Sequence, residues 1–166
     1  MKRLLPFLLL LFAVSRTALA LDALSQAESR ALCARLEAAL QPPQSGAYRM
    51  VRHSDLLEQD QKSSGTLEIP SAGVIRLSQT EPFAKESVLD AAQSRFSVPQ
   101  RLLDEKLFRI ECFDEGKNFL LVLTPLRRDL SRVVCSLELR TAGYADRLQK
   151  IRLNSPDGGY TLLELR

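Results

Sequence analysis

A hydrolytic triad in this sequence has to use its one histidine, His53, and a Cys3His zinc site would add the three cysteines, Cys33, Cys112 and Cys135. His53 stands beside Ser54 and Asp55, the three residue types of a hydrolytic triad. Successive side chains on a strand point to opposite faces, so three consecutive residues do not converge on one substrate atom. His53 therefore reads as a surface or rim histidine. Structural zinc takes its ligands in close pairs such as C-x-x-C, and these cysteines and His53 form none. Asp104-Glu105 and Asp114-Glu115 are adjacent carboxylates at strand ends, without the separation of a general acid and base across a scissile bond. No Gly-rich phosphate loop occurs. No catalytic residue, metal ligand or cofactor is assigned, and the chain reads as a protein that is not an enzyme.

Charge removes another class. The formal charge of +3 belongs to Lys2, Arg3 and Arg16, because no acidic residue precedes Asp22. The rest of the chain is nearly neutral, whereas a nucleic-acid binder draws most of its affinity from an excess of Lys and Arg.

The N-terminus has the features of a cleavable secretory signal: basic Lys2-Arg3, an apolar run from Leu4 to Val14, and small residues at Ala18 and Ala20. The run is shorter than the roughly 20 apolar residues that span a bilayer, so export with cleavage after Ala20 is expected rather than anchoring. Residues 21–166 are then one domain working outside the cytoplasm, large enough to fold on its own core. An odd number of cysteines allows at most one internal bridge.

The elements follow from periodicity. Ser25 and Glu28 have capping-box spacing, and Leu32, Leu36 and Leu40 recur every fourth residue, predicting a helix over 25–40 that Pro42-Pro43 stops. Beyond Gly46 the apolar period becomes two. Tyr48 to Leu57, the stretches around Leu67 and Ile69 and around Val74 to Leu77, then Phe83 to Asp90 and Ser94 to Val98 read as strands. Five more run over Leu107–Phe113, Asn118–Thr124, Ser131–Arg140, Arg147–Leu153 and Tyr160–Leu165. Short Gly-, Asp- and Pro-containing connections make them antiparallel neighbours. The fold class is α+β: a curved antiparallel sheet with the helix on its apolar face. Alternation places Cys112 and Cys135 on that face, but an intervening strand holds their Cα atoms about 9.6 Å apart, beyond the roughly 7 Å that a disulfide tolerates. Three buried thiols are expected, with a Cys33 bridge as the alternative.

The stretch from Tyr48 to Phe83 resembles the opening strands of the periplasmic outer-membrane lipoprotein carrier (LolA-like) family. The matching residues are Tyr48 and Arg52, Gly65 and Leu67, Arg76 and Leu77, and Thr80, Pro82 and Phe83; Leu123-Thr124-Pro125 and Asp157-Gly158-x-x-Thr161 continue the likeness. Where that family carries Arg-Pro after Gly-x-Leu this chain has Ser71-Ala72, and Leu77 replaces a strand tryptophan. The resemblance implies a half-open β-barrel, closed by helices over a pocket that receives acyl chains. It makes the chain a noncatalytic, monomeric carrier of an acylated or lipid-like cargo, passed between membrane-bound donor and acceptor proteins, with lipoprotein transfer to the outer membrane as one such task. The alternative is a periplasmic protein-interaction module on the same scaffold.

On the carrier reading Leu67, Ile69, Leu77, Phe108, Ile110, Leu121 and Leu137 line the pocket; the bland alternative is ordinary core. Arg127, Arg128 and Arg132 cluster after Pro125 and are candidates for meeting an anionic headgroup or a partner, against the alternative of a solvated loop. N-terminal sequencing of protein from its native host should begin at Leu21; an intact Met1 in the membrane fraction would refute export.

Overall fold

The computed structural model describes residues 22–41, 43–55, 59–71, 74–90, 103–143, 145 and 147–166, with backbone alone at 89 and 90. The expected signal segment, the strand over Ser94–Val98, and Leu56 and Leu57 lie outside them.

Helix α1 (Gln26–Ala39) starts where the sequence predicts. The Ser25 hydroxyl accepts the Glu28 amide at 3.4 Å and the Glu28 carboxylate accepts the Ser25 amide at 2.9 Å, so two amides of the first turn are satisfied reciprocally. Those hydrogen bonds favour the charged carboxylate and hold Glu28 below the usual glutamate range. Leu32 and Leu36, one turn apart, are buried, and the Gln44 side chain donates to the free Ala39 carbonyl at the other end.

Ten strands form one antiparallel sheet: β1 (Asp22–Ala23), β2 (Gln44–His53), β3 (Gln61–Ser71), β4 (Val74–Glu81), β5 (Lys85–Asp90), β6 (Phe108–Asp114), β7 (Phe119–Pro125), β8 (Ser136–Ala142), β9 (Arg147–Asn154) and β10 (Tyr160–Leu165). Their order is β1-β6-β7-β8-β9-β10-β2-β3-β4-β5. Two meanders, β2–β5 and β6–β10, are thus sewn together by one long-range pairing, Tyr160 to Leu165 against His53 to Tyr48. The end strands β1 and β5 do not pair with each other, so the sheet curves without closing. Irregularities between Ser64 and Gly65, Glu68 and Ser71, and Arg140 and Thr141 bend it. At the first of these β3 and β4 approach so closely that a Cβ on Gly65 would lie 2.1 Å from the Ser78 carbonyl oxygen, a position no side chain can take.

Directly opposed residues share a face. Cys112, Leu121, Leu139, Ile151, Leu163 and Met50 form one such row across six strands, and Ile110, Leu123, Leu137 and Leu153 form a second. Helix α1 lies over the β6–β9 end of this face, where Leu32 and Leu36 join Phe108, Cys112, Leu121, Leu123, Leu139 and Leu148 in one buried cluster. Thr141 is the buried polar residue there, and its hydroxyl accepts the Phe119 amide at 3.1 Å. On the β2–β4 end, Met50, Leu67, Ile69, Ile75 and Leu77 are only half-buried.

The structure departs from the expected elements in three places. The first strand, expected from Tyr48 to Leu57, begins at Gln44 and ends at His53. The expected strand over Ser131–Arg140 is instead a short helix α2 (Arg128–Ser131), a turn, and then β8 from Ser136. The amides of Val133 and Val134 close onto the Leu130 carbonyl at 3.0 and 2.9 Å, so the local turn overrides the β-preference of two valines. The two-residue β1 is not among the expected strands, being too short for periodicity to register. Leu121→Ala should lower stability by about 2–5 kcal/mol, while Leu67→Ala, half-buried and outside the cluster under α1, should cost well under half of that. Urea unfolding of the two variants measures the difference.

Candidate functional site

The seven apolar residues singled out from sequence all lie on one side of the sheet, in two environments. Phe108 and Leu121 are buried beneath α1, and Ile110 and Leu137 are half-buried against the same cluster. Leu67 and Leu77 are paired across β3 and β4, with Ile69 two residues along, outside that cluster. Between the start of α1 and β6 opens a cavity of about 560 Å³, whose walls include Leu24, Ser29, Cys33, Phe108, Ile110 and Cys112. A second depression is bordered by Arg49, Lys62, Glu81 and Glu164 together with Val51, Pro82 and Leu162.

The three arginines after Pro125 are not equivalent. Arg127 is held by Asp129, its Nε and Nη2 donating to the two carboxylate oxygens at 3.0 and 2.6 Å, which keeps that carboxyl below the usual aspartate range. Arg128 and Arg132 are exposed, between Leu126 and Val133, two large apolar side chains that are 59% and 60% exposed.

The thiols also divide. Cys112 is 2% exposed and Cys33 half-buried, while Cys135 is exposed in the turn before β8, with its amide donating to the Asn154 carbonyl at 2.7 Å. The expectation of three buried thiols therefore fails for Cys135, because it lies outside the strand whose alternation would have turned it inward. All three are free, and β7 stands between the strand of Cys112 and β8. Among the described residues, no three His, Cys, Asp or Glu side chains gather as a metal site requires.

His53 is more connected than sequence alternation suggested. Its Nδ1 meets Asp60 Oδ1 at 2.7 Å and its Nε2 meets Asp55 Oδ1 at 3.3 Å, and the ring stacks on Tyr160 at 5.0 Å between centroids. The Arg152 guanidinium covers the same Tyr160 ring at 4.2 Å. Strand β2 ends at His53, so Asp55 lies in a turn where alternation no longer holds and its carboxylate swings back. The arrangement ties the β2–β3 connection to the first residue of β10. The Asp60 hydrogen bond, with smaller help from Asp55, raises the His53 pKa above the ordinary histidine value.

No family model and no curated protein matches the chain. Solved structures do. The crystal structure of MucB aligns over 85% of this chain and 58% of its own, at 16% identity and a TM-score of 0.51. The complex of Pseudomonas aeruginosa MucA and MucB aligns over 83% and 55%, at 15% identity and 0.47. A LolA superfamily protein from Nitrosomonas europaea aligns over 83% and 91%, at 10% identity and 0.41. The chain spans less than two thirds of the MucB chains it matches. At 16% identity the likeness to MucB is one of fold.

A histidine whose pKa is raised by folding adds stability that is fully present below its unfolded pKa of about 6.5 and is lost as pH rises through the higher folded value. The NMR titration of His53 should accordingly lie above that of a free histidine, and Asp60→Asn should move it down. An unchanged midpoint in that variant would show that Asp60 does not hold the imidazolium.

Proposed function

We propose that the chain is a noncatalytic carrier of an acyl-chain or lipid-like cargo in the periplasm, bound on the concave face of its sheet. One observation carries the reading: an apolar face runs across the sheet, and among the described residues α1 covers its β6–β9 end while Leu67, Ile69 and Leu77 at the other end are half-buried. Apolar surface left half-exposed is unfavourable for the free protein by about 25 cal/mol per Å² and is what a hydrocarbon ligand replaces, at roughly 0.8 kcal/mol for each CH₂ it buries. A carrier has to release its cargo, which a shallow, partly open face permits better than a closed core.

On this reading Leu67, Ile69 and Leu77 receive the chain first, beside the half-buried Met50 and Ile75. Phe108, Ile110, Leu121 and Leu137 extend the same face beneath α1 and become available as that helix shifts. The exposed pair Leu126 and Val133, flanked by Arg128 and Arg132, is suited to a surface that is apolar with anionic headgroups, so these residues meet the donor or acceptor membrane or the proteins within it. Export through the N-terminal signal, and residues 21–166 acting as one domain, belong to the same proposal.

Native mass spectrometry of gently purified protein should find co-purified lipid, and a fluorescent fatty acid should bind at one site per chain. Leu77→Arg should weaken that binding at least about tenfold, because a guanidinium is poorly solvated against hydrocarbon; a thermal melt must show the variant folded. A folded wild type that binds neither lipid nor probe would overturn the carrier reading in favour of a protein-interaction module.

A further inference from the structure

We infer that the Ser63 hydroxyl is the polar anchor of a single-chain acyl cargo, holding the carbonyl of its head at one end of β3 while the chain lies along that strand. Strand register fixes the face on which Ser63 stands. It lies directly opposite Met50, so it continues the row that runs from Cys112 to Met50 onto a seventh strand. The register of β3 on β2 runs unbroken from Gln61 to Ile69, and side chains alternate along it, so Ser63 shares its face with Leu67 and Ile69. Leu67 in turn faces Leu77 of β4. This face is apolar at one end of β3 and carries a hydroxyl at the other.

That hydroxyl has no partner. Among the described residues, Ser63 Oγ is the buried side-chain oxygen or nitrogen left without a hydrogen bond. Comparable hydroxyls are satisfied: Ser64 Oγ donates to Glu81 at 3.1 Å, and Thr141, buried on β8, accepts the Phe119 amide at 3.1 Å. A serine hydroxyl offers one donor and two acceptor positions, and removing it from water with all of them unmet disfavours the free protein. The side chains that share its face, Met50 across the strand pair and Leu67 along the strand, have no oxygen or nitrogen to give it. An oxygen brought by the ligand does.

The chemistry of the anchor selects the head. One neutral hydroxyl supplies no charge to offset a buried carboxylate, so it prefers an uncharged acceptor, the carbonyl of an acyl ester or amide. Length selects the tail: Ser63 and Ile69 are six residues apart on β3, roughly 20 Å along a strand, which is the reach of an extended palmitoyl-class chain. The inference rests on the carrier reading and gives the cargo a direction, with its tail over Leu67, Ile69 and Leu77 and its carbonyl at Ser63. Gln61 and Lys62, which precede Ser63, are exposed, so whatever the acyl group is attached to continues into solvent from that end.

The test compares two ligands on the purified protein: diphenylhexatriene, a fluorescent hydrocarbon with no polar atom, and methyl palmitate, which displaces it. Wild type and Ser63→Ala should bind the hydrocarbon alike, whereas methyl palmitate should bind the variant about fivefold more weakly, the worth of one hydrogen bond. Leu67→Ala should weaken both ligands. Because Ser63→Ala removes an unmet hydroxyl, it should melt no lower than wild type. Equal methyl palmitate affinity in wild type and Ser63→Ala, an equal loss for both ligands, or a variant that melts well below wild type would overturn the inference and leave the carrier reading in place. A folded wild type that binds neither ligand would defeat the carrier reading and this inference with it.

Discussion

A helix of fourteen residues is about 21 Å long and roughly 10 Å wide, whereas ten strands at about 4.8 Å spacing make a sheet some 43 Å across. One such helix cannot cover one face of such a sheet. The apolar row from Cys112 to Met50 spans six strands, and α1 lies over those at one end. Among the described residues a dense cluster lies under the helix, half-buried leucines and isoleucines lie at the other end, and a cavity opens at the seam where α1 leaves β1.

The opposite face has other physics. Lys150 meets Glu164 at 2.8 Å, Arg140 meets Glu115 at 3.3 Å, and the Asn154 amide bridges Ser136 and Glu138 at 2.9 Å each. Charge pairs at such partly exposed sites contribute at most about 1 kcal/mol each. Their larger effect is to keep those stretches of the face solvated.

Much of this was legible in the chain, because some signals are local. Ser25 and Glu28 announce the helix start by spacing alone, and the alternation of Tyr160 to Leu165 gives β10 at its observed bounds. Non-local facts were not legible. Nothing near Leu165 says that it pairs with Tyr48, and nothing near His53 says that Asp60, across a turn, will hold its ring. Strand alternation misled at Asp55 and Cys135, both of which lie just outside strands where it ceases to apply. It also could not say how much of the apolar face a helix would cover, because Leu121, fully buried, and Leu67, half-buried, alternate in the same way.

The central position of β10 constrains the order of events as the chain is made. Strand β2 has β3 on one side from early on, but its other edge waits for residues 160–165, more than a hundred positions later. Contacts that distant are slow to form, since a long loop must close before any pairing energy is returned. Until then each meander ends in an open edge, and the chain holds no complete sheet that could lock.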